Sequence, residues 1–149
     1  MDSAQRQRPS GLYCATALVV VVLSFGTLIG TGCSKNDKGA SQVAVALADG
    51  AIKVDPATVQ HGKADFNVNN ASTKAHSLVV LKTDTPPEQL AVDNSGHVTN
   101  NGKVGKVDSF SGPNVTKKLT VDLKPGHYVL VSDVGGDYQQ GMRAAFTVQ

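Results

Sequence analysis

Tryptophan is absent from this chain, and only three Tyr and four Phe occur in 149 residues. A surface that stacks nucleic-acid bases needs aromatic platforms, and none can be assembled from so few rings. A charge excess is also lacking. Lys+Arg at 14 against Asp+Glu at 12 gives a formal +2, too balanced for an electrostatic nucleic-acid binder. Cysteine is nearly missing: Cys14 and Cys33 both lie in the first quarter. Beyond residue 33 the chain therefore has no disulfide, no Cys nucleophile and no thiolate metal ligand. No G-x-S-x-G elbow, H-E-x-x-H pair, phosphate-binding Gly loop or dinucleotide fingerprint occurs. Ser132, Asp133 and His127 are close in sequence. A hydrolytic triad also requires an oxyanion hole and an oriented base, and neither is signalled. An enzyme is not expected.

The first 33 residues read as an address. Arg6 and Arg8 precede a Pro-Ser-Gly turn, and no charged residue appears from Leu12 to Gly32, with Ala17–Leu23 at its apolar centre. A run of about 20 apolar residues suffices to cross a bilayer, so an uncleaved signal anchor is one reading. The run ends in small residues, Gly26-Thr27 and Gly30-Thr31-Gly32, followed by Cys33 and the polar stretch Ser34–Ser41. This order resembles a bacterial lipoprotein signal, with Gly30 standing where that family favours Leu. The resemblance implies that the Cys33 thiol is lipidated with a diacylglyceryl group and that cleavage occurs before it. Two acyl chains anchor stably where one is marginal. The expected organisation is a signal peptide over 1–32, a lipidated Cys and flexible tether over 33–41, and one domain over 42–149. Its expected place is the extracytoplasmic face of the cell membrane.

Within that domain apolar residues alternate with period two. Val43–Leu47, Ile52–Val54, Asp65–Asn69, Ser77–Lys82, Lys118–Leu123, His127–Val131 and Ala144–Val148 read as strands, with Asp49-Gly50 and Pro125-Gly126 as turns. The unbroken apolar centre of Ser77–Lys82 suits a buried strand. Thr83–Asn114, with Pro86-Pro87 and an Asn/Gly-rich stretch, reads as a long excursion with at most a short strand and no core of its own. About seven or eight strands without an amphipathic helix predict an all-β, antiparallel Greek-key β-sandwich.

The last hairpin, Lys124–Met142, together with Val43–Leu47, Phe66, Val68 and His76, resembles the cupredoxin family over nearly the whole domain. The resemblance implies a type-1 copper ligand set: an early His at a strand start, here His76, and Cys-x4-His-x4-Met in the last loop. On that spacing Ser132 stands at the cysteine position, Asp137 at the second histidine and Met142 at the axial methionine. Two of the four family ligands are thus replaced. A serine hydroxyl stays protonated at neutral pH and is a hard donor, and a carboxylate suits Mg²⁺, Ca²⁺ or Mn²⁺ better than copper. Bland roles stand beside this: His76 as a strand cap, Met142 as a core gap-filler, Asp137 as a turn residue. His61, His97 and His127 are scattered, and the sequons at Asn70 and Asn114 read as plain surface turns.

Two functional expectations follow. The first is a membrane-anchored binding or structural module with a degenerate copper site and no cofactor, whose partner is an envelope protein or small ligand. The second is a copper-binding or electron-transfer protein of the cell envelope. Ser132 discriminates between them.

Overall fold

A computed structural model describes residues 39–99 and 101–149. The expected signal peptide, Cys33 and most of the tether lie outside the described residues. Nine strands follow in order: β1 (Ser41–Ala48), β2 (Ala51–Asp55), β3 (Thr58–Val59), β4 (Gly62–Asn70), β5 (His76–Lys82), β6 (Lys103–Phe110), β7 (Val115–Leu123), β8 (Gly126–Val131) and β9 (Arg143–Val148). Among the described residues the only helical element is a single 3-10 turn at Pro87–Gln89, and no helix there is long and apolar enough to cross a membrane.

Two sheets form a sandwich, one ordered β2-β1-β4-β7 and the other β3-β9-β8-β5-β6. The period-two pattern explains what lies between them. Val43, Val45 and Leu47 of β1 and Phe66 and Val68 of β4 point inward from one sheet, and Leu78, Val80, Leu130 and Phe146 from the other. Phe66 and Tyr128 each meet Phe146 edge-on, at ring separations of 5.4 and 6.5 Å. Leu119, Val121 and Leu123 share the inner face of β7, as their spacing predicts.

The architecture departs from expectation in three respects. First, the sheets are mixed, because β1 pairs β4 and β3 pairs β9 in parallel. The chain leaves the first sheet for β3 before returning as β4, and a return after such a crossing runs in the original direction. Second, the excursion contains the full strand β6, antiparallel to β5. Lys103, Val104 and Lys106 of β6 are exposed, so no alternation marks it. Its Gly105 fits closely against β7: a Cβ there would sit 3.0 Å from Val121 and 3.1 Å from Leu119, so those side chains would have to give way. Third, the excursion does have a core. Leu90 and Val98 pack with Tyr138 on Val79, Leu81, Val129 and Val131, the outer face of the second sheet. This second layer explains why β5 is buried on both faces.

Candidate functional site

The loop Ser132–Met142 joins β8 to β9 at the end of the sandwich where β5 begins. Its backbone is folded on itself. Asp137 N–H donates to the Val134 carbonyl at 2.9 Å, Met142 N–H to the Asp137 carbonyl at 3.0 Å, and Ser132 N–H to the Met142 carbonyl at 3.1 Å. These bonds draw the loop's two ends together and turn Asp137 inward. Gly141, at φ +107°, passes the next turn so closely that a Cβ would lie 2.8 Å from the Gly50 carbonyl oxygen.

His76 reaches the same place from β5. The segment before it is held by side-chain bonds to the backbone. Asn70 Nδ2 donates to the carbonyls of Lys74 (2.9 Å) and Phe110 (2.7 Å), and its Oδ1 accepts from Ser72 N–H at 2.8 Å. Asn70 is fully buried, which corrects its reading as a surface turn. Its side chain replaces backbone partners that an irregular segment would otherwise lack. Asn114, at φ 67°, does lie in an exposed turn.

The four residues expected from the resemblance to stand at ligand positions, His76, Ser132, Asp137 and Met142, are all buried. Three of them bond to one another. Asp137 Oδ2 accepts from Ser132 Oγ at 2.6 Å and lies 2.8 Å from His76 Nδ1. Ser132 Oγ in turn accepts from Ser77 N–H at 3.1 Å. On its far side His76 Nε2 lies 3.1 Å from Asp49 Oδ1. Asp49 also accepts from Ser72 Oγ at 2.7 Å and pairs with Lys74 at 3.5 Å. The Ser72 hydroxyl, then the His76 ring, with help from the Lys74 charge, hold the Asp49 carboxyl below its ordinary range. Both ring nitrogens of His76 thus lie within hydrogen-bond distance of a carboxylate oxygen. Among the described residues no buried side-chain polar atom is left without a partner.

Met142 is sealed in the main core, consistent with the gap-filling role. His76 is more than a strand cap, since both its nitrogens are engaged. Asp137 is more than a turn residue, since its carboxylate faces inward. His127 stands at the start of β8 and Ser132 just beyond its other end, so these two residues form no dyad. His61 bonds to the Gln149 carbonyl and His97 to that of Asp133. No group of three metal-ligating side chains occurs among the described residues. Asp49, Ser72 and Ser77 were not singled out by sequence reasoning; Asp49-Gly50 carried only a turn signal.

No family model matches the chain, and no curated protein matches it. Solved structures do. Auracyanin from Roseiflexus castenholzii is 21% identical over 74% of this chain and 99% of its own, with a TM-score of 0.55. Reduced rusticyanin is 18% identical over 75% of this chain and 81% of its own, with a TM-score of 0.56. Auracyanin A, a blue copper protein of Chloroflexus aurantiacus, is 14% identical over 74% and 100%, with a TM-score of 0.54. The fold of this chain is that of the cupredoxins.

Proposed function

We propose that the chain is a membrane-anchored extracytoplasmic lipoprotein whose cupredoxin-like domain serves as a binding or structural module without a type-1 copper. The carrying observation is the Asp137 carboxylate, bonded to His76 Nδ1 at 2.8 Å and to Ser132 Oγ at 2.6 Å. The residues at the family's ligand positions satisfy each other. A type-1 copper needs a thiolate, two imidazoles and a weak axial thioether. Of these the chain offers His76 and Met142, and the His76 nitrogen that faces the loop is already engaged. A carboxylate and a neutral hydroxyl are hard donors, and the set does not fit copper. Hydrolysis is disfavoured in the same way: Ser132 is fully buried and its hydroxyl donates to a carboxylate, with no histidine to deprotonate it.

The cupredoxin fold favours the second reading, a copper-binding or electron-transfer protein of the envelope. Copper(II) titration of the purified protein, followed by visible spectroscopy and native mass spectrometry, separates the two. The expected spectrum has no intense charge-transfer band, and a strongly blue protein rejects the first reading. A companion variant, Ser132→Cys with Asp137→His, supplies the missing thiolate and imidazole and releases His76 Nδ1. It is expected to bind copper where the parent does not, and His76→Ala in that background is expected to remove the binding. Failure of the folded double variant to gain copper would overturn the positional correspondence. Anchoring is tested separately: Cys33→Ser is expected to abolish lipid labelling and leave an uncleaved precursor.

A further inference from the structure

The sheets of the sandwich end in β2, β7, β3 and β6, and three of these edges are covered, short or irregular. β7 lies against β6, where Gly105 approaches Leu119 and Val121. β3 is two residues long. β6 meets β5 through a ladder with two register shifts, and such irregularity blunts an edge. β2 is the open one: among the described residues it pairs only with β1. The two-residue turn Asp49-Gly50 makes Ala48 and Ala51 a hydrogen-bonded pair. Lys53 opposite Ala46, and Asp55 opposite Ala44, therefore also bond toward β1. The Leu47 carbonyl, aimed the other way, accepts from Ala71 N–H at 2.8 Å, in keeping with that alternation. Ile52 and Val54 thus point their N–H and C=O groups out of the sheet edge, and no hydrogen bond to those groups occurs among the described residues. Lys53 and Asp55 stand on the outer face of this edge, both exposed and outside every ion pair among the described residues. They rim an open groove over Ala44 and Ala46. Val54, on the inner face, is only half-buried against the core.

We infer that β2 is the edge at which two copies of this chain pair, antiparallel about a two-fold axis at Val54, with each Lys53 opposite the other copy's Asp55. Outward-bonding residues must face one another in an antiparallel ladder, so Ile52 and Val54 restrict the possible registers. Charge then selects among them. Centred on Lys53, the pairing sets lysine against lysine; centred on Ile52, it sets Asp55 against Asp49. Like charges directly opposite are destabilising. Centred on Val54, it brings two Lys–Asp pairs into the close, non-hydrogen-bonded positions on the outer face, where opposite charges attract. The two Val54 residues exchange both of their backbone bonds, and their side chains cover each other on the inner face. A lone lysine on an edge strand guards against pairing; Asp55, two residues on, leaves one register open, and that register is self-complementary as a two-fold contact requires. A single bonded residue pair flanked by two ion pairs is far smaller than a standard interface, so the association is reversible and concentration-dependent.

The test uses the full chain, made once in ordinary and once in heavy-nitrogen medium, purified in mild detergent and mixed in equal parts. A soluble carbodiimide joins an amine directly to a carboxylate, and mass spectrometry reads the linked peptides. A Lys53–Asp55 link carrying one light and one heavy half is expected, in a yield that rises with protein concentration. Lys53→Glu and Asp55→Lys each set like charges opposite one another at both positions and are expected to lower the yield of dimers linked through β2 about tenfold. Both side chains are exposed, so each variant is expected to keep the parent's melting temperature. Mixing the two variants is expected to restore dimers, because the acidic edge of one then faces the basic edge of the other. A link found only within one isotope, dimers joined elsewhere with none through β2, or variants that fail to associate when mixed would each overturn the pairing. In intact cells, Lys53 linked to another protein and never to a second copy would assign the edge to that partner and overturn it equally.

Discussion

Asp137 concentrates the chemistry of the site in one carboxylate. Removing it leaves a buried imidazole nitrogen and a buried hydroxyl facing each other across a void, and groups so stripped lose their water without regaining a partner. Asp137→Ala is therefore expected to lower stability by more than about 1–3 kcal/mol, the cost of one stranded buried polar group, because it strands two. Asp137→Asn keeps the shape and one carbonyl acceptor, so a smaller loss is expected. Ser132→Ala removes one donor to Asp137 and the acceptor of Ser77 N–H, with an expected loss of about 1–3 kcal/mol. Urea unfolding of the three variants checks the order. If Asp137→Ala matches the parent, the cluster does not hold the loop. The residues at the site were legible in the sequence through the spacing of Ser132, Asp137 and Met142. Their mutual bonding was not, because His76 lies 61 residues before Asp137 and no local period records where a carboxylate turns.

At the scale of elements, the excursion between β5 and β6 clamps the Ser132–Met142 loop. Tyr138 Oη donates to the Pro87 carbonyl at 2.8 Å and accepts from Leu90 N–H at 3.0 Å. Val98 N–H donates to Asp133 Oδ1 at 3.0 Å, and His97 Nδ1 lies 2.9 Å from the Asp133 carbonyl oxygen. That carbonyl first, and then the Asp133 charge, raise the pKa of His97 above its ordinary 6.5. A raised folded-state value stabilises fully below the unfolded one and fades as pH climbs through the folded one. Amide exchange at Val98 is thus expected to be slow near pH 6 and to accelerate, after correction for intrinsic rates, as pH rises past the His97 transition. His97→Gln is expected to erase that step. Tyr138→Phe strands Leu90 N–H and is expected to speed exchange across Leu90 at every pH. Unchanged protection in both variants would show that the excursion does not clamp the loop.

Across the whole molecule, carboxylates couple the fold to acid. Asp65 sits on the outer face of the first sheet, bonded to Lys118 at 2.8 Å, Thr120 at 2.6 Å and Gln42 at 3.0 Å. The Lys118 ammonium foremost, then the Thr120 and Gln42 donors, hold its carboxyl far below the ordinary carboxylate range. Asp49 is shifted the same way. A depressed value stabilises the fold above the unfolded-state value near 3.8 and loses that effect as pH falls through the folded one. The melting temperature is accordingly expected to fall between about pH 4 and pH 2. Asp65→Asn is expected to flatten that fall relative to the parent. A parallel decline in both proteins would assign the acid sensitivity elsewhere.

The sequence by itself determined the all-β class, most strands and the two-faced burial of each, because a period of two is a local property that one chain segment carries alone. The five-residue spacing of Ser132, Asp137 and Met142 was also open to reading, since the three share one short loop. Tertiary structure decided the rest. β6 became a strand at the edge of a sheet because β5 offered it a ladder and Gly105 fitted against Leu119 and Val121. β1 and β4 became parallel neighbours only because β3 crossed to the other sheet between them. The turn residue Asp49 became a partner of His76, 27 positions later at the start of β5, because the fold brings that turn and that strand end together. Such contacts depend on which distant groups arrive at the same point, and that is settled by packing and by the need to satisfy every buried polar atom.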